Sequence, residues 1–520
     1  MLIENEMGGI MNMDVQIHAI VLTIYLLGMM FIGLYFFKRS ESQSDYFLGG
    51  RNLNVWVTSM SAQASDMSGW LLMGLPGAAF LLTENHGIPE ALWTAIGLGI
   101  GTYLNWLFVA KRLRQYSEIS NDSITIPTYL ENRFKDKTSL IKLISAIFIV
   151  IFFLIYTAAQ FSAGAKLFNA IFDLDYSLAL IIGAVVIVSY TFLGGFLAVC
   201  WTDLVQGILM FFAITILPIV AVTKLGGVVQ VSTINSALTN LPNGLGFYEW
   251  TGIKSAGWLW IISTAAWGLG YFGQPHILTR FMGIRQAKEI KPARRIAMVW
   301  VTFSLAAGVL VGIIGKAYMS TVVSTDALAV MDGEKIFIYL VQNILQGPGL
   351  AILAGILLTA ILAAIMSTAD SQLLVTSSAI SEDIAKNIFK DLGDKQMAWI
   401  SRVSVLVIAF VAYLLARNPE GSVFDLVAYA WAGFGAAFGP AILMSLYWKR
   451  MNWQGTLAGI ISGGVMVIFW RTVVKAYFNL YELLPAFLVS VIMIVVVSLL
   501  TAEPEEAIQK EFDEFIAIQE

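Results

Sequence analysis

The chain has 520 residues and a net charge of −4 at pH 7; 58% of its residues are hydrophobic and only 13% are charged. Soluble domains carry about 25% charged residues, so this composition excludes an ordinary soluble enzyme and indicates a multi-span membrane protein. Cys200 is the single cysteine and the three histidines are scattered, which excludes a disulfide within the chain and a zinc centre built from these residues.

Apolar windows of about 20 residues, the length that crosses the bilayer core, recur along the chain. They lie at 17–37, 56–80, 90–110, 141–165, 177–199, 203–223, 256–277, 297–318, 347–373, 400–416, 424–447, 455–472 and 482–501. We therefore predict an all-α polytopic membrane protein with about thirteen transmembrane helices in a single membrane domain, 17–501. Residues 1–16 are expected to precede this domain, and the acidic, amphipathic tail 502–520 to follow it as a solvated helix.

Basic residues divide unequally between the two sides that these windows define. If the N-terminus lies outside, the inner segments hold 23 of the 31 lysines and arginines, including the group from Arg280 to Arg295, and the outer segments hold 8. Because cytoplasmic loops of membrane proteins are enriched in lysine and arginine, the sequence predicts an extracytoplasmic N-terminus and a cytoplasmic C-terminus in the cell membrane.

Two windows are interrupted by small residues. The second contains Asp66 among serines and Gly69, and the seventh contains the run WGLGYFGQP at 267–275. Each heads a group of five windows, at about 56–223 and 256–447, and interrupted helices in corresponding positions of two halves are typical of secondary transporters. We therefore predict two five-helix repeats that each begin with a broken helix. Close helix packing is the alternative role of these glycines.

Asp66 marks a candidate cation site, because a carboxylate inside a membrane helix is costly and is therefore a functional residue by default. Unwound carbonyls of Ala64 and Met67 beside it could supply oxygen ligands to a hard cation such as sodium. Ser367 and Thr368, adjacent hydroxyls in the ninth window, are the expected partners, although such hydroxyls also bond to their own helix backbone. Asp66 would ligate the ion directly or attract it through its charge.

Two further acids lie at the edge of a window or inside one. Asp203 comes at the start of the sixth window, where it could cap a helix. Asp370 follows Ser367 by three residues and so lies on nearly the same helix face. Either acid could line a second cation position or a cytoplasmic exit path.

Four aromatic residues fall near the middle of the windows: Trp70, Tyr156, Trp267 and Tyr271. Tryptophan and tyrosine more often mark the headgroup region, but Trp267 and Tyr271 lie one turn apart beside glycines, which favours a pocket wall. A small zwitterion suits such a pocket, because half-helix N-termini attract its carboxylate and indole faces accept its ammonium group.

Together these segments resemble the sodium/solute symporter family over about 17–501, and within it the branch that transports proline. The resemblance is carried by DYFLGGR at 45–51, ASDMSGWLLMGLPG at 64–77, GGFLAV at 194–199 with WTD at 201–203, WGLGYFGQPH at 267–276, AAIMST at 363–368 and YAWAGFGAAFGP at 429–440. It implies the LeuT-type fold of five plus five helices in inverted repeats, and the coupled entry of sodium and L-proline.

The resemblance also implies particular ligands by position. Sodium is expected at the carbonyls of Ala64, Met67 and Ala364 and the hydroxyls of Ser367 and Thr368, with Asp66 nearby, and proline at Trp70, Tyr156, Trp267, Tyr271 and Pro275. Some family members bind a second sodium ion near the position of Asp203. This chain has Asp370 followed by Ser371 where hydroxyl residues are usual. The sequence therefore leaves undecided whether Asp203, Asp370 and Ser371 form a second cation site and how many sodium ions move per cycle.

Three classes of protein compete for this sequence: a sodium-driven symporter, a channel, and a membrane enzyme or sensor. The chain has no repeated filter motif of a channel and no histidine–acid constellation at membrane depth, so we expect a transporter and not an enzyme. Its expected partners are the coupling ion Na⁺, a small zwitterion and the lipid bilayer, with no nucleic acid and no obligatory protein partner. Another small amino acid or a carboxylate is the alternative substrate, and proton coupling through Asp370 the alternative mechanism.

Overall fold

The computed structural model describes residues 2–37, 48–81, 87–191, 195–239, 251–253, 257–347, 349–389, 393–419 and 421–519. Within these ranges the regular secondary structure is helical, apart from one isolated β-bridge between Leu53 and Ile284. Two parts of the quoted sequence blocks, 45–47 and Gly194, lie outside the described residues.

The described residues form a framework of twenty α-helices. In the first half they are α1 Leu2–Phe37, α2 Val55–Gly69, α3 Leu75–Phe80, α4 Ile88–Ile119, α5 Ile126–Phe134, α6 Leu140–Phe172, α7 Tyr176–Thr191, α8 Phe196–Lys224 and α9 Val228–Thr239. In the second half they are α10 Gly257–Ala265, α11 Pro275–Gly283, α12 Ile290–Met319, α13 Thr325–Ala329, α14 Ile336–Ile344, α15 Ala351–Ile388, α16 Asp394–Leu415, α17 Val423–Tyr447, α18 Trp453–Phe469, α19 Leu483–Leu500 and α20 Glu506–Gln519.

Each apolar window overlaps at least one of these helices within the described part of the chain. Among the described residues, 9 helical stretches are long and apolar enough to cross a membrane, and α7 and α16 are shorter apolar helices that also match windows. The second and seventh windows are each split into short pieces. The all-α membrane architecture is therefore as expected, while the count of thirteen spans stays a prediction.

The second span breaks near the end of α2, before α3. Ser68 leaves helical geometry with φ 47° and ψ −173°, and the segment Trp70–Gly74 then forms a widened turn before α3. The hydroxyl of Ser68 accepts a hydrogen bond from the N–H of Trp70, at 3.0 Å, and so satisfies a donor that the break releases. A positive φ is strained for serine, so the surrounding packing must hold it. The break comes at Ser68, one residue before the glycine that suggested it.

The seventh span breaks between α10 and α11. Its segment Ala266–Gly273 is a 3₁₀-helix, Gln274 is extended, and Pro275 is the first residue of α11. Proline suits this position because it has no N–H to satisfy and its fixed φ is already helical. Both predicted broken helices are therefore confirmed.

Glycines allow the 3₁₀ segment to lie directly against α4 and α17. A Cβ atom at Gly101 would collide with the carbonyl oxygen of Gly268, and one at Gly273 would collide with the carbonyl oxygen of Phe434. Such close backbone approach is how small residues join helices in membranes. The glycines of the seventh span therefore serve packing as well as the break.

The boundary between the fifth and sixth spans lies earlier than the windows indicate. α7 ends at Thr191 and α8 begins at Phe196, after Gly195 in extended conformation. Asp203 therefore lies two turns inside α8, where it is fully buried. The interpretation of Asp203 as a helix cap is wrong, because α8 already begins after Gly195, seven residues before Asp203 would have to start it.

The two ends of the chain also differ from expectation. α1 already begins at Leu2, and its membrane-spanning part is Met13–Phe36. The tail helix α20 is docked and not fully solvated: Phe515 is buried and stacks on Tyr116 of α4, with ring centroids 4.2 Å apart. Its amphipathic pattern supplies an apolar face, and α4 covers it.

Candidate functional site

The two breaks meet at Asp66. The hydroxyl of Tyr271, in the 3₁₀ segment, donates to Oδ2 of Asp66 at 2.5 Å, and the hydroxyl of Tyr156 on α6 donates to the carbonyl oxygen of Asp66 at 3.2 Å. All three side chains are buried. The intramembrane carboxylate is therefore held inside the helix bundle and ties one broken helix to the other.

Four of the five predicted sodium ligands come together between α2 and α15. The hydroxyl of Ser367 donates to the carbonyl oxygen of Ala64 at 2.8 Å and to that of Ala364 at 3.1 Å. The hydroxyl of Thr368 donates to the Ala64 carbonyl oxygen at 3.4 Å. Ser367 thus bonds both across to α2 and back to its own helix. The fifth candidate, the carbonyl of Met67, accepts a hydrogen bond from the N–H of Trp70 across the break.

This donor set suits a small, hard cation. Each hydroxyl can rotate its proton away and direct a lone pair to an ion that is also bound by the two carbonyl oxygens. The carboxylate of Asp66 follows Ala64 by two residues on α2. The donors are hydroxyl and carbonyl oxygen atoms, which suit hard cations, whereas transition metals prefer imidazole and thiolate ligands.

The residues of the candidate second cation site also come together, but around an arginine. Nη2 of Arg280 lies 3.3 Å from Oδ2 of Asp203 and donates to the hydroxyl of Ser371 at 2.5 Å. The hydroxyl of Ser61 donates to the same Asp203 oxygen at 2.6 Å, and Asp370 precedes Ser371 on α15. From the sequence Arg280 belongs to a basic cytoplasmic group; in the structure its side chain is fully buried.

The predicted substrate residues divide into three groups. Trp70 and Trp267 lie against each other, with ring centroids 5.4 Å apart, and both contact Phe424. Tyr156 and Tyr271 bond to Asp66 as described. Pro275 lines a small separate cavity and is not brought into the aromatic group.

A larger cavity of about 670 Å³ begins where the aromatic layer ends. Trp267 and Phe424 line it, whereas Asp66 and Tyr271 do not. Trp267 also stacks on Tyr481, with ring centroids 5.2 Å apart. The layer of Trp70, Trp267 and Phe424 therefore separates this cavity, which we call the vestibule, from the buried site at Asp66.

An ion pair that the sequence reasoning missed crosses the vestibule. Nζ of Lys166 on α6 lies 2.5 Å from Oε2 of Glu334, while Oε1 of Glu334 accepts from the hydroxyl of Ser422 and the N–H of Phe424. Glu334 thus joins α6 to the start of α17. No local sequence signal marks it, because it lies in a turn between windows.

Gln160 is the second functional candidate that the sequence reasoning missed. Its Oε1 accepts the N–H of Gly69 at 3.2 Å, directly at the break of the second span. Its Nε2 is buried and has no hydrogen-bond partner among the described residues. Gln160 lies one turn after Tyr156 on α6, so one face of α6 holds both sides of the break. In the sequence, Gln160 is marked only by being a polar residue in the apolar fourth window.

Known proteins resemble this chain along almost its whole length. The model of the sodium:solute symporter family matches residues 46–463. The chain is 47% identical over 501 residues to the osmoregulated proline transporter OpuE of Bacillus subtilis (strain 168), covering 95% of this chain and 97% of the relative. It is 47% identical over 498 residues to the sodium/proline symporter of Escherichia coli (strain K12), covering 94% of each chain.

Among solved structures, a Na⁺-coupled sialic acid symporter in a substrate-bound, outward-open state matches with a TM-score of 0.72 at 20% identity, over 94% of this chain and 98% of that one. This likeness confirms the predicted LeuT-type, all-helical fold of a multi-pass membrane protein. The matched family is one of transporters and not of enzymes, as expected. With its family model matched over 46–463 and relatives at 47% identity over nearly their full length, the chain belongs to the sodium:solute symporter family.

Proposed function

We propose that the protein is a secondary active transporter that couples inward movement of sodium to uptake of L-proline by alternating access across the cell membrane. The observation that carries this proposal is the meeting of two α15 hydroxyls with the Ala64 carbonyl oxygen, beside Asp66 and at the break of α2. The proline transporters among its relatives support the choice of substrate.

The proposed sodium ligands are the carbonyl oxygens of Ala64, Met67 and Ala364 and the hydroxyls of Ser367 and Thr368, with Asp66 as the nearby charge. The short distances between four of these groups support the assignment. Met67 completes the set if its carbonyl exchanges the N–H of Trp70 for the ion. Asp203, Asp370 and Ser371 stay the candidate second cation position.

The proposed proline pocket lies between the aromatic layer and Asp66, with Trp70, Tyr156, Trp267 and Tyr271 as its residues. Pro275, at the start of α11, stays a proposed proline contact although it lines a separate cavity in this structure. Indole faces can pack on the pyrrolidine ring and on its ammonium group. N–H groups released at the two breaks can bind the carboxylate. Entry of proline requires the contact between Trp70 and Trp267 to open, so the structure supports a pocket that forms as substrate arrives.

We also propose that the N-terminus and 1–16 lie outside and the tail 502–520 inside, with repeats at about 56–223 and 256–447. The excess of basic residues on the inner segments supports this orientation. It places the vestibule, at the end of α3, on the outer side. Substrate then enters through the vestibule and leaves toward the end that carries Arg51 and the start of α2.

Coupling follows from the shared break. Sodium between α2 and α15 fixes the backbone at Ala64, and Asp66 links that backbone to Tyr271 of the pocket. Each ligand therefore favours the arrangement that the other needs. By linkage, sodium should tighten proline binding by the same factor as proline tightens sodium binding.

Uptake of labelled proline into proteoliposomes tests the proposal. A potential of ~100 mV supplies about 2.3 kcal/mol per charge and a tenfold sodium gradient about 1.4 kcal/mol, so one sodium ion per proline allows roughly 500-fold accumulation. We expect accumulation with an imposed sodium gradient and not with a proton gradient alone. Proline accumulation that does not depend on the sodium gradient would contradict the proposal. If another small amino acid or a carboxylate inhibits uptake of labelled proline at lower concentration than unlabelled proline does, that compound is the preferred substrate.

Gln160→Leu is expected to weaken proline binding about 5- to 150-fold. The leucine leaves the Gly69 N–H unpaired at the break, which costs about 1–3 kcal/mol. Gln160→Glu keeps an acceptor and should bind more tightly than the leucine variant. Equilibrium binding at saturating sodium measures both, with the exposed Gln230→Leu as control. Equal proline affinity in wild type and Gln160→Leu would remove Gln160 from the site.

A further inference from the structure

The guanidinium group of Arg280 is bonded on all sides inside the helix bundle. Nη2 contacts Asp203 and Ser371, Nε donates to the hydroxyl of Ser61 at 3.0 Å, and Nη1 donates to the carbonyl oxygen of His276 at 2.7 Å. Neither Arg280 nor Asp203 has any exposed side-chain surface. A fixed positive charge therefore sits among oxygen atoms from four helices: α2, α8, α11 and α15.

These oxygen atoms are the ones that a second sodium ion would need. Asp203 is its charged ligand and the hydroxyls of Ser61 and Ser371 are its neutral ligands, and Arg280 engages all three. We propose that Arg280 is the resident cation of this site and takes the place of a second sodium ion, so that one sodium ion enters with each proline molecule. This inference rests on the proposed function.

The charges around Arg280 favour a cation that cannot leave. Oδ1 of Asp203 and Oδ2 of Asp370 are buried and have no hydrogen-bond partner among the described residues. Both acids lie within electrostatic reach of Arg280. Two buried acids thus lie beside one permanent positive charge, and removing that charge would leave Asp203 without its ion-pair partner in an oxygen-lined position.

The arginine site and the proposed sodium site are one helical turn apart. Ser61 precedes Ala64 by three residues on α2, and Ser371 follows Ser367 by four on α15 and donates to its carbonyl oxygen at 2.8 Å. A sodium ion in the first site therefore has the guanidinium as its neighbour. A further mobile cation at Asp203 would have to displace this guanidinium from the oxygen atoms of Asp203, Ser61 and Ser371, which disfavours a second sodium ion there.

A flux balance in proteoliposomes measures the number of sodium ions directly. With the membrane potential clamped at zero and a tenfold inward sodium gradient, net proline flux vanishes at a tenfold internal proline excess for one sodium ion, and at a hundredfold excess for two. We expect about tenfold for the wild type. Balance near a hundredfold would overturn the role of Arg280, whereas a wild type without sodium-driven flux would contradict the proposed function itself.

Arg280→Gln is expected to move the balance toward a hundredfold, because the vacated site keeps two acids and two hydroxyls. Arg280→Lys retains the charge and should stay near tenfold, as should Arg285→Gln, a control on a half-exposed arginine. If Arg280→Gln does not transport, sodium-dependent proline binding to the purified variant replaces the flux balance. A Hill coefficient for sodium near 2 supports the proposal, and a value near 1, or a tenfold balance in this variant, overturns it.

Discussion

Asp66→Asn should abolish sodium-dependent proline uptake while the protein still folds. The carboxylate is buried, accepts the Tyr271 hydroxyl, and lies two residues after Ala64, whose carbonyl oxygen accepts the Ser367 hydroxyl. Asparagine keeps the size and one acceptor oxygen but removes the charge. Removing the buried carboxylate from a bound sodium ion costs about 3 kcal/mol or more, so sodium affinity should fall by at least about 100-fold. Uptake at a series of sodium concentrations measures the loss.

Two further variants isolate the charge from the hydrogen bond. Tyr271→Phe removes the hydroxyl and keeps the carboxylate, so it should weaken proline binding more than sodium affinity. Asp326→Asn changes an exposed acid in the first turn of a short helix and should leave both unchanged. Near-normal uptake at low sodium in Asp66→Asn would exclude Asp66 from the coupling site.

The parts of the site that sequence reasoning found are those with a local signal. A charge such as Asp66 in an apolar window is conspicuous because membranes exclude charges, and the paired hydroxyls of Ser367 and Thr368 stand out in a helix of aliphatic residues. The breaks were predictable because serine, glycine and proline have known backbone preferences. Hence the fold class and both interrupted spans could be inferred before any coordinates.

The parts that sequence reasoning missed depend on packing between distant segments. In the sequence, Arg280 looks like one more basic residue of a cytoplasmic loop. Its partner Asp203 becomes apparent only because α11 packs near α8 in the structure. The sequence shows Gln160 only as one polar residue in a long helix. Its role follows from the hydrogen bond that it accepts from the N–H of Gly69 in the structure. A helix cap stayed open as an alternative role for Asp203 because the windows could not show that its helix starts right after Gly195.

The double substitution Ser367→Ala with Thr368→Ala should raise the sodium concentration for half-maximal uptake by at least about 10-fold. Hydroxyl ligands of a charged group contribute about 1.5–3 kcal/mol each, and alanine offers no replacement for the two that meet the Ala64 carbonyl oxygen. Proline affinity at saturating sodium should change little, because neither hydroxyl lies in the aromatic layer. Sodium-activation curves of uptake, with binding assays at high sodium, distinguish the two effects.

Ser377→Ala on the same helix provides the matched control. Its hydroxyl is also buried, but it bonds back to the carbonyl oxygen of Leu374 within α15 and has no hydrogen bond to another helix among the residues that the structure describes. If the double variant needed more sodium only because α15 was destabilised, Ser377→Ala would raise the sodium concentration for half-maximal uptake in the same way. A sodium requirement that rises only when the hydroxyls facing α2 are removed ties the ion to the gap between α2 and α15. Only there does a bound ion act on the break and, through Asp66 and Tyr271, on the substrate pocket.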